Sequence, residues 1–241
     1  MRRVLSYAYW IYFALSLIPL FSVALTLWLV TLPFDRNGRV LHLYSSLWAA
    51  HYIYLNPLWR LRMEGVGGVS RQRPWVIVSN HQSLLDILVL FATYLPYKWV
   101  SKEAVFRAPF LGWNMRLNRY VPLRRGDRTS VGEMAAQCLG WLRRGVSVLI
   151  FPEGTRSSDG MLLPFKVGAF RMAREAGVAV LPIVLDGTSS ALPKHGLTFS
   201  ARAEFRVRVL APMDLSGLGS DEEAAAVVKS RMEQALAELR S

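Results

Sequence analysis

Residues 75–86 read WVIVSNHQSLLD, and residues 146–160 read VSVLIFPEGTRSSDG. Each stretch begins with a short apolar run rich in β-branched residues and continues directly into polar residues. Continuous apolar runs of this length predict strands that are buried on both faces of a sheet. Because each run becomes polar where its strand would end, the two stretches predict functional groups at two strand exits.

The remaining pattern alternates strands with helices. Further strands are predicted over residues 97–101, 119–123, 178–185 and 204–210. Helical patterns lie over residues 83–94, 109–117, 130–144, 167–176 and 221–239. This alternation predicts an α/β fold with a mixed, largely parallel sheet flanked by helices.

The N-terminal region is apolar enough to contact a membrane. Residues 4–32 contain no charged side chain in 29 positions, which is long enough for a helix to cross a bilayer. Residues 22–24 (SVA) resemble a signal-peptide cleavage site, but the apolar run continues past them, which favours a retained transmembrane or membrane-bound helix. Pro19, in the middle of the run, predicts a kink.

A second helix is predicted over residues 39–62, after a turn at residues 35–38. Its tryptophans, tyrosines and arginines are residue types that favour the membrane–water interface. We therefore expect residues 1–62 to form a membrane-binding helical pair and residues 63–241 to form the α/β domain. Two buried core helices are the alternative. A hairpin or a partly submerged pair, with both ends on the same side of the membrane, is favoured over a single span.

Composition narrows the classes of partner. The formal net charge is +12, 52% of the residues are hydrophobic, and the mean hydropathy is +0.24. A basic chain attracts nucleic acid, an anionic membrane or phosphorylated substrates. Nucleic acid is disfavoured because the aromatic residues concentrate in residues 7–59, with the membrane helices, instead of among the basic residues. The four histidines and the single cysteine lack metal-ligand spacing, so no metal is expected.

The first strand exit contains a histidine and an aspartate five residues apart, His81 and Asp86. On a regular helix this spacing would separate the two side chains, so they can meet only if His81 precedes the helix. A carboxylate that accepts a hydrogen bond from one imidazole nitrogen leaves the other nitrogen free to take a proton. Considered in isolation, the pair is more simply explained as a capping histidine and an incidental acid.

The second strand exit adds a carboxylate, a glycine turn and a guanidinium in residues 151–157 (FPEGTRS). Arg156 is suited to bidentate phosphate binding, and backbone N–H groups around Gly154 can assist.

These blocks resemble those of a known enzyme family. NHQSLLD (80–86) is similar to the N-H-x4-D block, and FPEGTRS to the F-P-E-G-T-R block, of the glycerolipid acyltransferase family. Residues 121–125 (VPLRR) resemble its hydrophobic-then-arginine block, and residues 181–184 (LPIV) its proline block. The resemblance covers about residues 63–210, and it is greatest to the bacterial 1-acyl-sn-glycerol-3-phosphate acyltransferases.

The resemblance implies a reaction. His81 would be the general base on a glycerol hydroxyl, Asp86 would orient it, and the hydroxyl oxygen would attack an acyl thioester. The expected product is phosphatidic acid, made from lysophosphatidic acid during phospholipid biosynthesis. Acyl-CoA or acyl carrier protein would be the donor, with no cofactor. An acyl-enzyme on Ser83 is disfavoured, because no G-x-S-x-G elbow occurs.

The resemblance also implies where the acceptor binds. Glu153, Gly154 and Thr155 would shape the acceptor site. Its phosphate would contact Lys102, Arg156 and one arginine of the pair at 124–125. Arg125 is favoured over Arg124, which occupies a position where the family often has an acid or a small residue. The whole stretch 98–128 is basic, with eight cationic and two acidic side chains.

Two other hypotheses about function remain at this point. One is an acyltransferase for another lysolipid, such as lyso-ornithine lipid, and the other is a non-catalytic, basic, membrane-anchored binding protein.

Because a basic surface beside a membrane helix strengthens attachment to an anionic leaflet, we expect the catalytic part on the cytoplasmic face of the cell inner membrane.

Overall fold

The computed structural model describes residues 2–194 and 196–241. Its centre is a seven-stranded sheet with the strand order β1-β7-β6-β2-β5-β3-β4. The strands are β1 (Trp59–Glu64), β2 (Val76–Ser79), β3 (Tyr97–Lys102), β4 (Val121–Leu123), β5 (Ser147–Ile150), β6 (Val180–Asp186) and β7 (Ala203–Val209).

The direction of the strands defines the functional edge of the sheet. Strands β2, β3, β4, β5 and β6 all run in the same direction. Strand β7 runs antiparallel to β6, and β1 runs parallel to β7. The mixed, largely parallel sheet expected from the sequence is confirmed, and the carboxyl ends of five adjacent strands lie along one edge.

Helices cover both faces of this sheet. They are α1 (Arg2–Thr31), α2 (Arg39–Tyr54), α3 (Leu85–Phe91), α4 (Leu111–Leu117), α5 (Arg128–Arg143), α6 (Gly168–Ala176), α7 (Thr188–Ala191) and α8 (Asp221–Arg240). Along β2, Val76 and Val78 pack with α5, α6 and α8, while Ile77 packs with α2 and α3 on the other face. Burial on both faces explains why the central strands are continuous apolar runs.

The second helix is shorter than the sequence predicts. α2 ends at Tyr54, and residues that were expected to be helical form β1, beginning at Trp59. Pro57 cannot continue a helix and disfavours the helical conformation of the residue before it. Beyond it, side chains alternate between less and more exposed along β1, as in an edge strand. The sheet therefore includes residues on the N-terminal side of the boundary predicted at residue 62.

The first two helices form an antiparallel pair. The Tyr9 hydroxyl donates to the Tyr52 carbonyl at 3.0 Å, and the Tyr44 hydroxyl donates to the Leu20 carbonyl at 2.9 Å. Among the described residues, one helix, Arg3–Thr31, is long and apolar enough to cross a membrane by length and composition, with a mean hydropathy of 2.2 in its most apolar window. Only 6% of that window is buried, so most of its apolar surface faces outward.

Candidate active site

The turn between β2 and α3 brings His81 and Asp86 together. β2 ends at Ser79 and α3 begins at Leu85, so His81 lies before the helix and Asp86 lies in its first turn. Nδ1 of His81 lies 2.7 Å from Oδ2 of Asp86. The same oxygen accepts the backbone N–H groups of Gln82 at 2.6 Å and Ser83 at 2.8 Å. The five-residue spacing is therefore a local turn folded around one carboxylate.

The second oxygen of Asp86 is held from another strand. Oδ1 accepts a hydrogen bond from the hydroxyl of Thr188, the first residue of α7, which follows β6. Asp86 and Thr188 are both fully buried. Since β6 is the neighbour of β2, the carboxylate is held by donors from two adjacent strand exits. Because a carboxylate can only accept hydrogen bonds, the tautomer of a neutral His81 that fits this contact has the proton on Nδ1 and a lone pair on Nε2.

The third strand exit supports the His81 ring and main chain. Phe151, after β5, stacks on the imidazole. The backbone N–H of His81 donates to Oε1 of Glu153 at 2.8 Å, and the His81 carbonyl accepts from the Ser157 N–H at 2.7 Å. The side chain of His81 remains 10% exposed, and no described protein group bonds to its Nε2. The imidazole is thus fixed in orientation with one nitrogen unused.

Glu153 is a buried carboxyl group bonded to the main chain. Its second oxygen, Oε2, accepts the Leu163 N–H at 3.1 Å. Burial raises the pKa of Glu153 from 4.5 to about 7, although the hydrogen bonds from the His81 and Leu163 N–H groups act in the opposite direction. The two carboxyl oxygens of Glu153 therefore connect the two loops that flank the site. Contact between Glu153 and the acceptor remains a prediction.

The loop after Glu153 places several cations together. Gly154 has φ +69°, and a Cβ there would lie 3.0 Å from the Lys166 amine, so the lysine lies directly against the turn. The Lys194 amine donates to the Arg156 carbonyl at 2.6 Å. Thr155 is exposed and Arg156 is half-buried. Lys166 and Lys194 therefore both lie beside this loop, which also contains Arg156.

The other predicted phosphate ligands lie further along the same edge. Lys102 ends β3, and Arg124 and Arg125 follow β4, so three strand spacings separate the exits of β2 and β4. At about 4.8 Å per spacing this is roughly 14 Å, a span that one phosphate bridges only by way of long side chains. Arg124 lies 3.5 Å from Glu103 and 3.3 Å from Asp127, whereas Arg125 is exposed and has no acidic partner in the described part of the chain.

Ser83 is not placed as a nucleophile. It is fully buried, and its hydroxyl donates to the Leu192 carbonyl at 2.7 Å instead of to His81. Among the described residues, no group of three His, Cys, Asp or Glu side chains could hold a metal ion; His195 lies outside those residues.

The sequence assigned no role to four residues that the fold brings to the site: Phe151, Lys166, Thr188 and Lys194. The signal for Thr188 was present, because residues 186–190 (DGTSS) are polar and directly follow an apolar strand, like the two exits that were recognised. Phe151 lies inside the FPEGTRS block, but a phenyl ring has no reactive or charged group that would indicate a role in the site.

The comparisons define the class of enzyme. Residues 60–186, more than half of the chain, match the family model of the acyltransferases. The chain therefore belongs to the Acyltransferase family.

Two relatives of this chain have the same enzyme name. A chloroplastic 1-acyl-sn-glycerol-3-phosphate acyltransferase, BAT2 of Brassica napus, is 40% identical over 75% of this chain and 52% of its own length. The alpha enzyme of that name from Mus musculus is 36% identical over 78% of this chain and 65% of its own. This chain thus spans about half the length of the Brassica relative.

A solved structure matches the whole fold. The 1-acyl-sn-glycerophosphate acyltransferase PlsC from Thermotoga maritima is 25% identical, with a TM-score of 0.83, over 100% of this chain and 98% of that one. The similarity includes the N-terminal helices, because the match covers the complete chain.

Proposed function

We propose that this chain transfers a fatty acyl group from an acyl thioester to the sn-2 hydroxyl of 1-acyl-sn-glycerol-3-phosphate, giving phosphatidic acid. The observation that carries the proposal is the His81–Asp86 pair, held from three adjacent strand exits and flanked by a cationic edge. The names of the relatives, 1-acyl-sn-glycerol-3-phosphate acyltransferases, support the same acceptor.

The reaction follows from the free nitrogen of His81. Nε2 takes the proton of the acceptor hydroxyl as its oxygen attacks the thioester carbonyl carbon. The tetrahedral intermediate collapses, the carbon–sulfur bond breaks, and the thiolate takes the proton from the imidazolium. The Asp86 carboxylate stabilises the imidazolium while it exists. The ester and the free thiol are the only products, so no cofactor is consumed.

Cations along the same edge bind the acceptor phosphate in this proposal. Arg156 lies in the loop that contacts the His81 main chain, Lys102 ends β3, and Arg125 follows β4. Arg125 is favoured because Arg124 already faces two carboxylates. Bidentate guanidinium contacts give the geometric selection that a phosphate monoester requires.

The helical pair attaches this site to the membrane that contains the acceptor. The apolar residues of α1 that face outward include Leu15, Leu29 and Val30, which are 66%, 57% and 64% exposed. An apolar surface of this kind is stable only against lipid or another protein. We place the attached domain on the cytoplasmic face of the cell inner membrane, where acyl-CoA or acyl carrier protein supplies the thioester.

An acceptor panel tests the proposal. The purified chain in lipid vesicles is assayed with an acyl thioester and either lysophosphatidic acid, lyso-ornithine lipid or lysophosphatidylcholine. We expect product with lysophosphatidic acid, and a loss of roughly 100-fold or more in His81→Ala. His51→Ala, on α2, is the matched control and should retain activity. No product with lysophosphatidic acid, or a fully active His81→Ala, contradicts the proposal.

A further inference from the structure

We propose that Thr188 is a positioning residue for the reaction, whose hydroxyl holds the Asp86 carboxylate and, through it, the His81 ring. The inference rests on the proposed function, because it takes His81 as the base. Thr188 lies outside every sequence block on which the acyltransferase resemblance was based.

The hydrogen bonds around Asp86 carry the argument. Three donors converge on Oδ2, namely His81 Nδ1 and the backbone N–H groups of Gln82 and Ser83. In the described part of the chain, Oδ1 has one donor, the Thr188 hydroxyl. Both side chains are fully buried, so water is excluded from replacing this donor. Removing the hydroxyl would leave a charged oxygen without a partner, and the carboxylate could then rotate away from His81.

The backbone after β6 is shaped to deliver Thr188 to this position. Gly187 has φ +86°, and a Cβ at this residue would lie 2.0 Å from the Glu204 carbonyl oxygen. Only glycine allows the main chain to pass so close to β7 and to turn immediately afterwards. The turn places Thr188 at the start of α7, where its hydroxyl reaches the Asp86 carboxylate.

Further hydrogen bonds fasten this exit to the catalytic turn on both sides of Thr188. Before it, the Asn80 amide donates to the Leu185 carbonyl and accepts from the Leu185 N–H, both at 2.8 Å. After it, the Leu192 carbonyl accepts from Ser83 at 2.7 Å. The position of Thr188 relative to Asp86 is therefore determined by rigid neighbours, which is what a positioning role requires.

We expect Thr188 to act on the chemical step and not on substrate affinity, because its side chain is fully buried and its hydroxyl bonds to Asp86. Thr188→Val keeps the shape and removes the donor, whereas Thr188→Ser keeps the donor. We expect kcat to fall roughly tenfold in Thr188→Val with both KM values within about twofold of wild type. Thr188→Ser should restore most of the activity.

A buried threonine elsewhere provides the control for stability. Thr93 is 2% exposed and its hydroxyl donates to the Leu90 carbonyl at 2.6 Å, at the far end of α3. Thr93→Val removes a comparable buried hydroxyl, so it should lower the melting temperature while kcat remains that of wild type.

A double-mutant cycle separates action through Asp86 from a general effect. In an Asp86→Ala background, Thr188→Val should reduce kcat no further, because its only route to His81 is gone. An equal loss in both backgrounds, or a Thr188→Ser variant as slow as Thr188→Val, overturns the inference. If the wild type is active and Thr188→Val is equally fast, the inference is overturned but the proposed function is not affected. A wild-type chain that acylates no lysolipid overturns the proposed function and the inference with it.

Discussion

The imidazole of His81 lies flat against the phenyl ring of Phe151, with the ring centroids 4.0 Å apart and the planes inclined by 12°. His81 follows β2 and Phe151 follows β5, and these strands are neighbours in the sheet. The phenyl ring holds one face of the imidazole, while Asp86 holds Nδ1. Together the two contacts restrict rotation about both side-chain bonds of His81.

The first prediction concerns this stacking. Phe151→Leu keeps an apolar side chain but removes the flat ring that supports the imidazole, so the imidazole samples more orientations and kcat falls roughly tenfold. Initial rates at saturating donor and acceptor measure the effect. Phe170→Leu, a fully buried phenylalanine in α6, is the control and should lower the melting temperature without lowering kcat. Equal kcat losses in both variants would show that Phe151 contributes only to stability.

The second prediction concerns pH and stability. The pKa of Glu153 is raised by burial to about 7 in the folded chain, against 4.5 for an ordinary glutamate. Its neutral form is therefore favoured by folding, and this contribution is complete below pH 4.5 and is lost as the pH rises through about 7.

Melting temperatures measured from pH 4.5 to pH 7.5 test this effect. They should fall less with rising pH in Glu153→Gln than in wild type over that window. Glu133→Gln, on an exposed part of α5, should retain the wild-type slope. Identical slopes in wild type and Glu153→Gln would contradict the assignment.

The third prediction separates the two arginines after β4. Arg124 faces Glu103 and Asp127, whereas Arg125 has no acidic partner among the described residues. Arg125→Ala should raise KM for lysophosphatidic acid roughly tenfold, because a charge-assisted contact to the phosphate is lost. Arg124→Ala should raise it by less, and Arg143→Ala, near the other end of α5, should leave it unchanged. A larger effect at Arg124 would reverse the assignment.

The fourth prediction concerns the membrane surface of α1. Leu15 is 66% exposed, so Leu15→Glu should leave the fold intact but weaken binding to anionic vesicles at least roughly tenfold. Co-sedimentation with vesicles measures the binding. Val227→Glu, at a 40% exposed valine of α8, introduces the same charge away from α1 and should bind normally. Equal binding by both variants would argue against membrane contact through this face.

Much of the fold could be predicted because its information is local. The apolar runs at residues 75–79, 146–151 and 178–185 are strands β2, β5 and β6, since a strand buried on both faces has to be apolar throughout. The edge strand β1 was mistaken for helix, because its alternating pattern is short and follows a long helical segment directly. A single proline is also a weaker sequence signal for the end of a helix than an apolar run is for a buried strand.

The amino-acid sequence by itself determined the α/β class, the apolar N-terminal helix and the polar strand exit that contains His81 and Asp86, because each depends on residues close together in the chain. Only the tertiary structure decided that Thr188 completes the contacts of Asp86, that Phe151 supports His81, and that Glu153 bonds to the main chain of His81. These contacts join residues 70 or more positions apart, and they depend on which strands become neighbours in the sheet. Strand order arises from the packing of all the helices and strands together, so no single segment of the sequence encodes it.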